Sequence, residues 1–224
     1  AIDYVAPAAR EQARDTARRI HAHGIVPYVT DGDLRHLGVG LIEVLPRKIL
    51  FLYNSREAAR VNVSGAHRYA EMPVNHLGYV ADYVDVNQPL PDTVPAAEYA
   101  GVVSWFDGHV PPARATVLAR WMAARIAEGT RLAVFGSFGF EPAGDFLREA
   151  GLAPVAPARG RLDIASADPS IGFESPPIPE RGRLERVRVD VDAARTLLTV
   201  ADADGKRYDA VAQMPWGGFA LHPF

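Results

Sequence analysis

The chain predicts an α/β protein: a wound, mostly parallel sheet followed by an antiparallel β meander. Three observations carry this. Short apolar runs of strand length alternate with helix-length segments, the pattern of a parallel sheet with crossover helices. Glycines stand where the helical segments should stop. Beyond residue 168 the helical pattern gives way to short alternating runs with an Asp204-Gly205 turn between the last two, which reads as hairpin-connected strands.

Residues 1–44 open with "AIDYV" as a strand end, then "PAAREQARDTARRIHAHG" as a helix. Pro7 suits its first turn, Ala13, Ala17 and Ile20 share one face, and Gly24 stops it. "IVPYVT" comes next as a strand and "DGDLRHLG" as a turn with a short helix. This β-α-β piece buries too little to stand alone. It is expected to pack against the wound sheet of residues 45–167 through Ile20, Ile25 and Val29.

Residues 45–167 hold the wound sheet. "RKILFLYN" is a nearly continuous apolar run, as a strand covered on both faces requires. A helix through "RYAEMPVNHLGY" leads to a second strand, "ADYVDV", and the proline-rich "PLPDTVPAAEY" to a third, "AGVVSWF". "PPARATVLARWMAARIAEG" is the clearest helix, with Val117, Leu118, Trp121, Met122 and Ile126 on one stripe and Gly129 as its stop. "TRLAVFGS" is the fourth strand and "EPAGDFLREAG" a further helix ended by Gly151. Right-handed crossovers with a 2-1-3-4 strand order give a flavodoxin-like or amidotransferase-like sheet. In residues 168–224, "DPSIGFESPPIPERG" is irregular, while "RLERVRVDV", "TLLTVAD" and "KRYDAVAQM" form the meander, and "PWGGFALHPF" closes the chain.

Composition narrows the function. The 224 residues are 48% hydrophobic with net charge −3, enough for a core and without the basic excess of a nucleic-acid binder. No run of about 18 apolar residues is present, so no membrane-spanning helix is expected. No signal-like stretch is visible, and in a chain opening on Ala1 this says nothing of a parent protein's leader. The absence of cysteine excludes disulfides, thiolate metal sites and a Cys nucleophile, and leaves the compartment open.

In a wound sheet, ligands bind beyond the carboxyl ends of the strands where strand order switches. Those positions are Tyr53, Asn54 and Ser55 after the first strand, and Trp105, Phe106 and Asp107 at the third. Neither GxGxxG nor GxxxxGK[ST] is present, so no phosphate cradle is expected; Arg56 and Arg60 read as solvated. "FGSFGF" places Ser137 on a strand-to-helix turn, but a nucleophile elbow needs a small residue where Phe135 stands; a glycine-rich turn leaving the sheet is expected instead. His21 and His23 point to different sides of a helix, His67 and His76 lack one-face spacing, and HExxH is absent, so no metal and no cofactor are expected. In "PVNHLGYVADYVDV", Asn75 and His76 fall in a last helical turn, where a histidine can meet free carbonyls; a buried, structural His76 is expected. In "MPWGGFALHPF", Trp216 and Phe219 either stack on a sugar face or pack onto the sheet.

"HGIVPYVTDGDLRHLGVGLIEVLPRKILFLYNSRE", "PVNHLGYVADYVDV" with "YAGVVSWFDG", and "DAVAQMPWGGFALHPF" together resemble the PelA family, across nearly the whole chain. The family modifies the Pel exopolysaccharide in the periplasm of biofilm-forming bacteria. It joins a glycoside hydrolase barrel, a Rossmann-like middle domain and a polysaccharide deacetylase. The resemblance implies that residues 1–44 correspond to the last barrel elements, 45–167 to the middle domain and 168–224 to a β-rich lead-in to the deacetylase. The family's hydrolytic acid would then lie before Ala1 and the deacetylase ligands after Phe224, so neither maps here. Asn54 stands where many relatives carry Asp, which speaks against a needed carboxylate. The implied function is a non-catalytic linker or scaffold between carbohydrate-active domains. Its implied partners are a galactosamine-rich polysaccharide, the flanking hydrolase and deacetylase domains, and a tetratricopeptide-repeat export protein. Two other readings stand beside it: a degenerate amidotransferase-like hydrolase using Asn75, His76, Asp107 or Ser137, and a sugar-binding module using Trp105, Trp216 and Phe219. Asn54, Asn75, His76, Trp105, Asp107, Trp216 and Phe219 are the binding candidates.

Overall fold

A computed structural model describes residues 46–155, 162–171 and 186–221; the readings made for residues 1–44, including packing through Ile20, Ile25 and Val29, lie outside the described residues. The strands are β1 (Lys48–Tyr53), β2 (Val80–Asp85), β3 (Tyr99–Phe106), β4 (Leu132–Gly136), β5 (Leu152–Pro154), β6 (Asp163–Ala167), β7 (Val187–Val189), β8 (Arg195–Ala201), β9 (Arg207–Met214) and β10 (Gly217–Leu221). The α-helices are α1 (Met72–His76), α2 (Pro112–Ala127) and α3 (Gly144–Ala150).

Eight strands form one sheet in the order β2-β1-β3-β4-β10-β9-β8-β6, and β5 and β7 form a two-stranded ribbon. The first four run parallel in the expected 2-1-3-4 order. β10 lies parallel to β4 and antiparallel to β9, and β8 and β6 extend the sheet antiparallel. The protein is therefore an α/β wound parallel sheet extended by a C-terminal antiparallel meander, as expected. Pro46–Phe224 makes one compact unit, so strands on either side of residue 168 share the sheet.

The sequence explains the layers. In β1, Leu50 and Leu52 enter one core while Phe51, pointing the other way, enters a second, as the two-residue period of a strand dictates. The larger core lies under α2 and α3, where Leu118, Trp121, Met122, Phe146 and Leu147 meet Val102, Phe106, Val134 and Phe219. The smaller one places Phe51 and Val103 beneath Ala66 and Ala70. Val117, expected on the buried stripe of α2, is exposed; the sheet contacts a narrower arc, centred on Leu118, Trp121 and Met122. Gly129 (φ 82°) ends α2 in a Schellman motif, with Gly129 N–H donating to Ile126 O and Thr130 N–H to Arg125 O.

Two connections depart from the regular pattern. The helix before β2 begins as a π-helical turn, Ala66–Glu71, and continues as α1. Pro73 lies at the junction, in the first turn of α1, where it donates no backbone hydrogen bond and so suits a break in the regular ladder. The proline-rich segment between β2 and β3 has no helix of its own and is strapped to α2. Trp121 Nε1 donates to Pro91 O at 2.6 Å, Arg125 to Asp92 O at 2.5 Å, and Arg114 Nε to Val86 O at 2.9 Å.

"RLERVRVDV" contributes β7, which pairs with β5 in the ribbon and not within the meander. "PWGGFALHPF" supplies β10, a strand inside the sheet.

Candidate functional site

β2 lies on one side of β1 and β3 on the other, so the strand order switches between β1 and β3, and their carboxyl ends frame the crevice. Asn54 leaves β1 buried. Its Oδ1 accepts from Arg56 N–H at 3.1 Å and from Asn87 Nδ2 at 2.9 Å. Asn87 Nδ2 also donates to Ser55 Oγ (3.1 Å) and Asp85 Oδ1 (3.0 Å). Asp85 Oδ1 accepts further from the backbone N–H of Ser55 and of Asn87, each at 3.1 Å. Burial alone would raise the Asp85 carboxyl; the bonds from Ser55 and Asn87 outweigh it and hold the group below its ordinary range. The ends of β1 and β2 are thus held together by side-chain hydrogen bonds, with Asn87 Oδ1 left buried and without a partner.

On the other side of the crevice, Glu57 reaches from the loop after β1 to the loop after β3. Its carboxylate accepts from Asp107 N–H at 3.2 Å and from Gly108 N–H at 3.0 Å, one oxygen to each. Glu57 is exposed as a residue, yet desolvation around its carboxyl raises its pKa above the ordinary value, against the lowering by bonds from Asp107, Asn54 and Gly108. Ser137 holds the same loop from β4: its Oγ donates to Gly108 O at 3.3 Å and accepts from Gly139 N–H at 2.8 Å. No described non-glycine residue has positive φ, so Ser137 lacks the strained backbone of a nucleophile elbow. The glycine-rich turn expected there is the arrangement found.

Trp105 projects from β3 onto the face covered by the π-helical turn. It stacks on Phe135 (5.1 Å between ring centroids, 18° between planes) and meets Tyr69 at 5.1 Å and 35°. Gly65 lies so close that a Cβ there would stand 2.3 Å from Trp105 Cδ1. A cleft of about 280 Å³ opens here, lined by Val63, Gly65, Arg68, Tyr69, Trp105 and Asp107. Tyr69, 58% exposed, forms its outer aromatic wall. A larger cavity of about 360 Å³, lined by Ile126, Arg131, Arg148, Val191 and Trp216 among others, sits at the opposite, amino ends of β4 and β10. Position favours the smaller cleft, which adjoins the carboxyl end of β3.

The other candidates fall elsewhere. His76 is exposed, contrary to the buried role expected of it, and so is Asn75, whose Nδ2 lies 3.5 Å from Glu71 Oε1. The π-helical turn explains the change: a widened turn shifts the phase of the helix after it, so Val74 packs inward and residues 75–77 face solvent. The structured polar group on this helix is instead His67–Glu71–Tyr83. Glu71 Oε2 accepts from Tyr83 OH at 2.7 Å and pairs with His67 Nδ1. The Tyr83 bond, with His67, holds Glu71 below its ordinary pKa despite some burial, while burial and Glu71 push Tyr83 up. Trp216 is buried and donates through Nε1 to Ala150 O at 2.9 Å; Phe219 is buried against Phe138. Phe219 offers no face to a sugar, because β10 is interior to the sheet; Trp216, though buried, lines the larger cavity at the amino ends of β4 and β10. Among the described residues, no group of three or more His, Asp or Glu is placed to hold a metal ion, and no helix is long and apolar enough to cross a membrane. Glu57, Asp85, Asn87 and Tyr69 escaped sequence reasoning; only the apposition of separate loops gives them meaning.

No family model matches the chain, and no curated protein matches it. Among solved structures, a glutamine amidotransferase from Thermotoga maritima is similar at 9% identity over 77% of this chain and 74% of that one, with a TM-score of 0.45. An exo-β-1,4-mannosidase from Opitutaceae bacterium strain TAV5 is similar at 16% identity over 79% of this chain, TM-score 0.43, and this chain spans 31% of its length. A glutamine amidotransferase from Methylobacillus flagellatus is similar at 12% identity over 75% of this chain and 69% of that one, TM-score 0.37.

Proposed function

We propose that this chain is a non-catalytic α/β module of a PelA-like periplasmic protein that modifies a galactosamine-rich exopolysaccharide during biofilm matrix synthesis. Hydrolysis and deacetylation belong to flanking domains, and a tetratricopeptide-repeat export protein is the docking partner. One observation supports a non-catalytic role above others: most of the polar groups at the switch point bond to one another. Asn54, Ser55, Asp85 and Asn87 are joined by hydrogen bonds, with Asn87 Oδ1 buried and unpartnered, and Ser137 gives its hydrogen to a backbone carbonyl. The module's contribution is to hold polymer. The Tyr69–Trp105 wall supplies an apolar face for a sugar ring, and Asp107 in the same cleft supplies a carboxylate for an amino group.

Calorimetric titration with galactosamine oligomers tests this. Saturable heat is expected, lost in Tyr69→Ala and retained in Trp216→Phe; no heat with the native chain refutes polymer holding. The competing hydrolase reading rests on Ser137 lying between glycines at the end of β4. It requires Ser137→Ala to abolish turnover in the full-length protein, whereas the scaffold reading expects that variant to leave it intact.

A further inference from the structure

The crevice between β1 and β3 already contains a ligand, and the chain supplies it. Two consecutive backbone N–H groups, of Asp107 and Gly108, converge on the two oxygens of one carboxylate at 3.2 and 3.0 Å. Successive amides aimed at one point make an anion-binding concavity. This concavity lies at the position where wound sheets bind ligands. Its planar, one-donor-per-oxygen geometry fits a carboxylate better than a tetrahedral anion. The loop is also held just beyond the donors, where Ser137 Oγ bonds to Gly108 O in the next peptide. Glu57 itself is exposed and sits on a loop, which makes it displaceable. Burial around its carboxyl, with the charge of Asp107, works against the charged form, and the bonds from Asp107, Asn54 and Gly108 offset only part of this, which further favours displacement of Glu57.

We infer that the Asp107–Gly108 peptide pair is a carboxylate-binding site masked by Glu57, and that a carboxylate-bearing ligand occupies it by displacing that side chain. A tethered side chain competes at an effective concentration in the millimolar range or above, so the native chain hides the site from dilute carboxylates. The inference is independent of the polysaccharide reading and stands or falls separately.

The test uses the full chain, with sodium formate as the probe and sodium chloride and sodium sulfate at matched ionic strength as references. In Glu57→Ala, formate is expected to raise the thermal midpoint saturably and to shift the Asp107 and Gly108 amide resonances, while chloride and sulfate do neither; the native chain should show no such response. Absence of a formate-specific response in folded Glu57→Ala overturns the inference, and an equal response to sulfate overturns the carboxylate assignment. Glu57→Gln gives a second measurement should the alanine variant fail to fold. A carboxamide satisfies only one of the two donors, so one of the two amides should exchange its hydrogen about tenfold faster or more, the loss expected for a bond to a charged group. Unchanged exchange at both amides would show that the pair does not require a carboxylate.

Discussion

Replacing Gly217 by alanine should unfold the centre of the sheet far more readily than any ordinary glycine-to-alanine change. Gly217 opens β10 at φ 131°, where an L-residue is strained by roughly 1–3 kcal/mol. Its missing Cβ would lie 2.0 Å from Leu132 O and 2.9 Å from Leu132 C. Both are backbone atoms, so no rotamer change relieves the overlap, and β10 must move away from β4. That movement strains the 2.8 Å bond from Leu132 N–H to Trp216 O, worth about 1 kcal/mol, and opens the packing around Phe219. The expected loss is about 2–4 kcal/mol. Gly129→Ala is the matched control: φ is also positive, at 82°, but nothing lies within 4 Å of the added Cβ, so only the backbone term of about 1–2 kcal/mol remains. Urea denaturation of both variants separates the terms, provided the slope m is unchanged. If the two midpoints imply losses within about 1 kcal/mol of each other, the steric argument for β10 is wrong.

Other consequences are as direct. Ser104 Oγ is buried in β3 with no protein partner, so Ser104→Ala should leave stability unchanged or raise it by up to about 1 kcal/mol; a clear loss in thermal denaturation would reveal a bond the fold does not show. Trp121→Phe removes the bond to Pro91 O and should cost about 1–2 kcal/mol while increasing proteolytic cleavage between residues 87 and 97; an uncut connection would mean the strap is not what holds it. Asp168 accepts from Ser170 Oγ, Ser170 N–H and Arg195, which lower its carboxyl to about 2 from 3.8. Because the folded value is depressed, the stability it contributes is present above 3.8 and lost as pH falls through about 2. An NMR titration of the carboxyl carbon should give that midpoint, and Ser170→Ala should move it upward; an ordinary midpoint in the native chain would refute the assignment.

The parallel half was legible because its signals are local. β1 and β3 announce themselves as apolar runs, and Gly129 and Gly151 stop their helices by taking a left-handed conformation that other residues resist. The antiparallel half was legible only in part. β5 and β7 have three residues each, too few to show a period. β10 hides behind Trp216-Gly217-Gly218, a sequence that reads as a loop, though those glycines are needed because two neighbouring backbones close on them. His76 was misplaced because the π-helical turn before it alters the helical phase. At the site, Trp105 and Asp107 are legible from their place at the end of β3. Glu57 is not, since its partners are backbone amides some fifty residues away and amides leave no mark on a sequence.

The place of β10 bears on how the molecule is made. During synthesis β4 emerges well before the strand that will flank it, and at roughly 5–20 residues per second that interval lasts seconds. Until Gly217–Leu221 arrives, the nascent chain presents two unfinished edges, one on β4 and one on β9, each with an open row of amides and carbonyls. A stall or premature stop ahead of residue 217 would fix the chain in that state, inviting it to pair with another copy in place of its own last strand.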